Sequence, residues 1–165
     1  MSAVALRPYL PADAKRCGEI FRRSIEELAA DDYDEAQREG WAARADDERA
    51  FAARLAGALT LVATIDGAIA GFASLKGGEI DMLFVDPEFA RQGAGRTLVE
   101  ALSKLAQARG AQRLTAEASD VARPLFERLG FVAQKRNLIG VGDQWLANTT
   151  MTKTFGAEPK PPTRH

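Results

Sequence analysis

The chain has 165 residues, and its 22 Lys and Arg against 23 Asp and Glu give it a formal net charge of −1. The one cysteine, Cys17, and the one histidine, the terminal His165, argue against an internal disulfide, a zinc site of several Cys and His side chains, and a histidine-based catalytic triad. Length and composition favour a single globular domain over residues 1–155, in a reducing compartment such as the cytoplasm. Residues 156–165 hold three of the seven prolines and are predicted to be disordered.

The first predicted elements are a short strand at residues 4–6 and a helix over 13–28, with Asp13 as its N-cap. Two strands follow at residues 59–65 and 68–75. They are joined by Asp66-Gly67, a dipeptide typical of a two-residue hairpin turn. Because this turn interrupts the longest apolar stretch, that stretch is not a membrane span.

A third strand is predicted at residues 79–85, followed by a loop and an amphipathic helix that ends near residue 109. A strand at 113–118 and a short helix come next, and the last two strands are predicted at 131–139 and 144–155. This order indicates an α/β fold with a sheet of mixed strand direction and helices on both of its faces.

Charge is distributed unevenly along the chain. Residues 26–48 contain ten acidic side chains against two arginines, which gives this segment a charge of 2 − 10 = −8. Two interpretations are open: a solvated helical face, which is the usual role of such a run, or an acidic wall that attracts a cationic substrate. The small negative net charge argues against nucleic acid as the main partner.

The stretch that carries most chemical information is the third strand together with the loop Gly93-Ala94-Gly95 and the helix that follows it. Free backbone N–H groups and the helix dipole at such a junction favour binding of phosphate oxygens. The loop lacks the Gly-Lys-Ser/Thr ending of a P-loop. Because Leu98 stands where a third glycine would be needed, a dinucleotide-binding loop is also disfavoured.

The chain resembles the GNAT superfamily of N-acetyltransferases. Four features in register carry the resemblance: Leu83-Phe84-Val85-Asp86-Pro87, Gly93-Ala94-Gly95, Glu117-Ala118-Ser119-Asp120, and Phe126 through Leu129-Gly130-Phe131. The resemblance implies a mostly antiparallel central sheet whose middle strands splay apart. It also implies direct transfer of an acetyl group from acetyl-CoA to a primary amine. The acidic segment and the carboxylates named below suit a small cationic acceptor, and composition favours neither a metal nor a nucleic-acid or membrane partner. A homodimer formed through the terminal strand pair is a further possibility that the family raises.

The resemblance also implies which residues bind the cofactor. The pantetheine arm pairs with the backbone of the third strand, the pyrophosphate lies on the amides of the glycine-containing loop, and two later residues complete the set. The residues are Leu83, Phe84, Val85, Arg91, Gln92, Gly93, Ala94, Gly95, Arg96, Asp120 and Phe126.

Amine attack on a thioester requires a base, because an alkyl ammonium is mostly protonated at neutral pH. Glu79, Asp81 and Glu117 lie on strand faces that can line one cleft, so one of these carboxylates is predicted to take the proton directly or through a water. Many family members place a tyrosine at the position of Phe126 to protonate the leaving thiolate. Here water, the protonated amine or Tyr33 are the alternative sources of that proton. The lack of a tyrosine at this position also admits an alternative function, a catalytically weak acyl-CoA-binding sensor.

Overall fold

The structure is a computed structural model and describes residues 3–156, so the tail predicted to be disordered lies outside the described residues apart from Gly156. Seven strands form one sheet in the order β1-β2-β3-β4-β5-β7-β6. The strands are β1 (Val4–Pro8), β2 (Leu59–Ile65), β3 (Ala68–Lys76), β4 (Glu79–Val85), β5 (Arg113–Ser119), β6 (Val132–Val141) and β7 (Gln144–Thr154). All neighbouring strands are antiparallel except β4 and β5, which are parallel.

Helices cover both faces of the sheet, as the sequence predicts. They are α1 (Ala14–Arg23), α2 (Glu35–Ala42), α3 (Glu48–Ala56), α4 (Ala94–Ala108) and α5 (Arg123–Arg128). On one face, Leu98 and Leu102 of α4 pack with Phe126 of α5 in an apolar cluster. On the other face, Phe21 of α1 and Phe51 of α3 form a second cluster, with their rings 5.3 Å apart.

The first helix differs from its prediction at both ends. The carboxylate of Asp13 does not cap α1; it accepts hydrogen bonds from Arg7 Nη1 and Nη2, at 2.7 and 2.9 Å, and from the Leu10 N–H at 2.8 Å. A charged bidentate partner therefore outcompetes the helix amides for this side chain. At its other end α1 passes into a π-helical turn, Ser24–Leu28, which the hydrophobic periodicity does not reveal.

The predicted hairpin turn is confirmed. Asp66 and Gly67 have positive φ angles of 52° and 81°, the combination that a type I′ turn requires at its two central residues. The turn fixes the register in which β2 and β3 pair. This register is kept from the turn to a β-bulge at Ala63/Thr64, where it shifts.

The two middle strands of the sheet separate along their length. β4 and β5 pair at Glu79↔Thr115 and Ile80↔Ala116, and beyond these positions no pairing continues toward Val85 and Ser119. This separation confirms the predicted splay and opens a gap in the centre of the sheet. Within residues 3–156, no helix is both long enough and apolar enough to cross a membrane.

Candidate active site

Two cavities meet at the gap between β4 and β5. The larger cavity, about 820 Å³, lies between the C-terminal half of β4, the loop before α4 and the π-helical turn Ser24–Leu28. The smaller cavity, about 250 Å³, lies between β4, β5, β7 and the segment around α2. Trp41, Phe84 and Ser119 line both cavities, so the two cavities adjoin at these residues.

The loop at the larger cavity presents backbone amides. Arg91 and Gly93 have positive φ angles of 63° and 89°, and α4 begins directly afterwards at Ala94 with no side chain capping it. The N–H groups of Ala94, Gly95 and Arg96 belong to the first helical turn and have no acceptor within the helix. A run of amides with this geometry forms a concave site for an anion.

A buried carboxylate missed by the sequence analysis anchors this loop. Asp86, at the end of β4, is fully buried and accepts hydrogen bonds from Arg16, Arg23 and the Glu88 N–H. Both arginines lie on α1, more than 60 residues away in the chain. The Asp86-Pro87 turn was visible in the sequence, but the partners of its carboxylate were not, because nothing local specifies them.

The predicted cofactor residues divide into two groups. The residues from Leu83 to Val85 and most of the loop line the larger cavity, whereas Gln92, Asp120 and Phe126 do not. The Asp120 carboxylate pairs instead with Arg136 on β6. The exposed Arg128 on α5, which the sequence analysis missed, does line the larger cavity.

Phe126 lies in the gap itself. It is buried, packs edge-to-face against Phe131 with ring centroids 5.0 Å apart, and lines a space of about 70 Å³ between β4 and β5. Its position is therefore suited to apolar contact with an extended ligand that enters the gap between β4 and β5.

The three predicted carboxylates come together at the smaller cavity, although their surroundings differ. Arg54 on α3 donates to Asp81 through Nε and Nη2, at 2.9 and 3.2 Å. Glu117 accepts from Asn137 Nδ2 at 3.0 Å and from Thr150 Oγ1 at 2.7 Å. These three partner side chains were also missed, since each is brought in by tertiary packing.

Glu79 is the carboxylate without a donor among the described residues. Glu79 is exposed at the start of β4. Partial desolvation of its carboxylate, and then the negative charges of Glu117 and Asp81, raise the pKa of Glu79 above its ordinary value. Each of these causes disfavours the ionised form, and together they move the carboxylate toward the pKa range suited to a general base near neutral pH.

Tyr33 is buried at the wall of the smaller cavity. Its hydroxyl donates to the Ala147 carbonyl at 2.6 Å and accepts from the Asp120 N–H at 2.9 Å. Burial raises the pKa of Tyr33, so the phenol stays protonated. The hydroxyl thereby joins the end of β5 to β7 beside the gap.

The ten acidic residues of segment 26–48 line neither cavity, and all of them are exposed. One of them, Asp34, caps α2 by accepting from the Gln37 N–H at 2.8 Å. Their placement favours the solvated-face interpretation over an acidic wall. Within the described part of the chain, no three His, Cys, Asp or Glu side chains are grouped to hold a metal ion.

Comparisons with known proteins agree with this fold. A family model for the acetyltransferase (GNAT) domain matches residues 29–155. The chain is 34% identical over 151 residues to the uncharacterized N-acetyltransferase YafP of Escherichia coli strain K12, covering 92% of this chain and 96% of that protein. It is 57% identical to a GCN5-related N-acetyltransferase of known structure from Rhodopseudomonas palustris, with a TM-score of 0.91 and coverage of 93% and 97% of the two chains.

A more distant solved structure has the same fold. The PaiA N-acetyltransferase of Thermoplasma acidophilum, crystallised in complex with coenzyme A, is 19% identical, with a TM-score of 0.76 and coverage of 93% of this chain and 99% of that one.

Proposed function

The chain belongs to the GNAT acetyltransferase family, and from that premise we propose that it moves the acetyl group of acetyl-CoA directly to the primary amine of a small acceptor that binds as a cation. The observation that carries the proposal is the meeting of the two cavities at Trp41, Phe84 and Ser119. One cavity offers amides and arginines, and the other offers three carboxylates together with Arg44 and Arg54. A thioester and an amine bound on the two sides would therefore meet in the gap.

The larger cavity fits coenzyme A. Its concave amides suit a pyrophosphate, and the guanidinium groups of Arg91, Arg96 and Arg128 add positive charge around them. The open edge of β4 faces the gap, where an extended pantetheine arm has room to pair with it. PaiA, of the same fold, was crystallised with coenzyme A, which supports the same ligand here.

A backbone donor at the gap supports the chemistry. The Asp86 N–H donates to Ala70 on the β3 side, at 2.7 Å. Because successive amides of a strand point to opposite edges, the N–H of Val85 points into the gap. We assign to this N–H the role of polarising the thioester carbonyl, as a single oxyanion-type donor.

We assign the role of general base to Glu79, acting through bridging waters, because Glu79 begins β4 and Val85 ends it, about 20 Å away along the strand. The acceptor amine arrives as an ammonium, and it must lose a proton before its lone pair can attack the acyl carbon. Glu79 has a raised pKa and no donor among the described residues, whereas Arg54 already offsets the charge of Asp81. Glu117, held by two donors, helps to bind the ammonium.

The bonds balance without a nucleophile or metal of the protein. Acetyl-CoA supplies a thioester that is already activated. The ammonium loses one proton through Glu79 to solvent, the C–N bond forms, the nitrogen then loses its second proton, and the thiolate gains one proton as the C–S bond breaks. The proton of Tyr33 is committed to the Ala147 carbonyl. We therefore propose Tyr33 as a positioning residue that fixes the ends of β5 and β7.

The test is thiol release from acetyl-CoA with a panel of amines, namely amino acids, polyamines, aminoglycosides and basic peptides, with the acetylated product identified by mass spectrometry. Amine-dependent release supports the proposal. Tight binding of acetyl-CoA without turnover on any amine would instead favour the sensor function.

A further inference from the structure

A second arginine lines the smaller cavity and is not used by its carboxylates. Arg44 lies in the 3₁₀ turn Ala43–Ala45 after α2, and its Nη2 donates to the Gly140 carbonyl at 3.3 Å. Among residues 3–156, no carboxylate lies within ion-pair distance of Arg44, in contrast to Arg54, which is held by Asp81. Most of the donors of the Arg44 guanidinium are therefore available to a ligand.

The charges of the cavity have both signs. Arg54 and Asp81 offset each other, which leaves two negative charges, on Glu79 and Glu117, and one positive charge, on Arg44. An acceptor that is cationic throughout would bring a second positive charge toward Arg44. An acceptor with an ammonium and an anion would satisfy both signs of charge, and a guanidinium pairs especially well with a carboxylate.

Much of the remaining lining of the cavity is apolar. The larger apolar side chains in it are Phe21, Trp41, Phe84, Ile139, Val141 and Leu146. At about 250 Å³ the cavity lies below the range of about 300–1,000 Å³ that drug-sized ligands occupy, so the ligand must be compact.

We propose that the acceptor is a small zwitterion, an α-amino acid with an apolar or aromatic side chain, whose carboxylate is bound by Arg44. The inference rests on the proposed function. It names the acceptor class for the same site: amine toward Glu79 and Glu117, carboxylate toward Arg44, and apolar side chain against Trp41 and Phe84.

The test compares L-phenylalanine with phenethylamine, which has the same ring and amine but no carboxylate. Wild-type protein is expected to acetylate L-phenylalanine with the higher kcat/KM. Arg44→Gln is expected to raise the KM for L-phenylalanine by about 10- to 100-fold, the worth of a hydrogen bond to a charged group, with little change in kcat. Phenethylamine kinetics should be unchanged, and Arg49→Gln on the exposed side of α3 is the matched control.

Three outcomes would overturn the inference. Arg44→Gln could change the kinetics of both substrates equally, which is the result expected if Arg44 only supports the backbone at Gly140. The wild-type protein could also prefer phenethylamine, or a polyamine such as spermidine, over L-phenylalanine. In each case the proposed acetyl transfer stands.

If no amine is acetylated, the proposed function fails, and a binding measurement decides the inference separately. Calorimetry on the coenzyme A complex would compare N-acetyl-L-phenylalanine with N-acetylphenethylamine. The inference is supported if the wild-type protein binds N-acetyl-L-phenylalanine more tightly than N-acetylphenethylamine and Arg44→Gln abolishes this preference. Equal binding of both, or binding of neither, contradicts it.

Discussion

Arg54 donates two hydrogen bonds to Asp81, from Nε to Oδ2 at 2.9 Å and from Nη2 to Oδ1 at 3.2 Å. This pair links α3 to β4 at the wall of the smaller cavity and offsets one of the three carboxylate charges there. Glu117 is held by two neutral donors. Glu79 differs from both, because its pKa is raised and no donor among the described residues reaches it. This difference is the reason for assigning the base to Glu79.

The pH dependence of kcat/KM should report the ionisation of Glu79. Glu79 accepts a proton only when it is ionised, so kcat/KM falls as pH decreases through its pKa. Burial is the largest cause of the raised pKa and the charge of Glu117 is the second. Glu117→Gln removes the second cause, so the acidic limb of the pH profile should move to lower pH while part of the elevation remains. An acidic limb that does not move in this variant would exclude Glu79 as the group that titrates.

Arg54→Gln should act in the opposite direction. Without Arg54, the charge of Asp81 is no longer offset, and the pKa of Glu79 rises further because like charges disfavour ionisation. The acidic limb should therefore move to higher pH. The pair is partly exposed, so we expect a loss of at most about 1 kcal/mol of unfolding free energy. Arg49→Gln on the same helix is the control, and a shift of the limb in the same direction as in Glu117→Gln would contradict the account.

Gly93→Ala tests the cofactor loop. Gly93 has a φ of 89°, and a Cβ there would meet no atom within 4 Å, so the substitution strains the backbone without a clash. The strain should displace the amides and raise the Kd for acetyl-CoA at least about tenfold, the equivalent of about 1.4 kcal/mol. Gly110→Ala is a matched control, since Gly110 has a φ of 88° and equally open space at the other end of α4. Equal acetyl-CoA affinity in the two variants would remove the loop from the binding site.

Asp86→Asn tests the anchor of that loop. The substitution removes a fully buried charge that faces two arginines and leaves their guanidinium groups less well paired. Because both arginines are partly exposed, we expect a loss of about 2 to 4 kcal/mol in unfolding free energy, measured by urea denaturation. Glu100→Gln, which breaks the exposed pair with Arg96, should cost less than about 0.5 kcal/mol. Wild-type stability of Asp86→Asn would show that the buried pair does not anchor the loop.

What could be predicted from the sequence is local in the chain. The Asp66-Gly67 turn and the passage from β4 through Gly93 into α4 depend on neighbouring residues, so a single sequence reveals them. The alternation of side chains along strands likewise places Glu79, Asp81 and Glu117 toward one cleft once the strands are in register.

What could not be predicted depends on packing between distant segments. The partner of Asp81 lies 27 residues away, and the two arginines that bind Asp86 lie 63 and 70 residues away. Asp13 shows the same effect in a prediction that was wrong: a typical N-cap residue is bound by Arg7 instead of by the helix amides. Propensity indicates which bonds a side chain is able to form, but the fold decides which partner is present.

The most direct test of the central claim is to measure amine-dependent release of coenzyme A thiol by wild-type protein and by Glu79→Gln, together with the Kd of each for acetyl-CoA. Glu39→Gln on the exposed face of α2 is the control. Glu79→Gln is expected to lower kcat by about 10²- to 10⁴-fold, the usual contribution of a general base, with an unchanged Kd. Turnover of Glu79→Gln at the wild-type rate would contradict the assignment of the base.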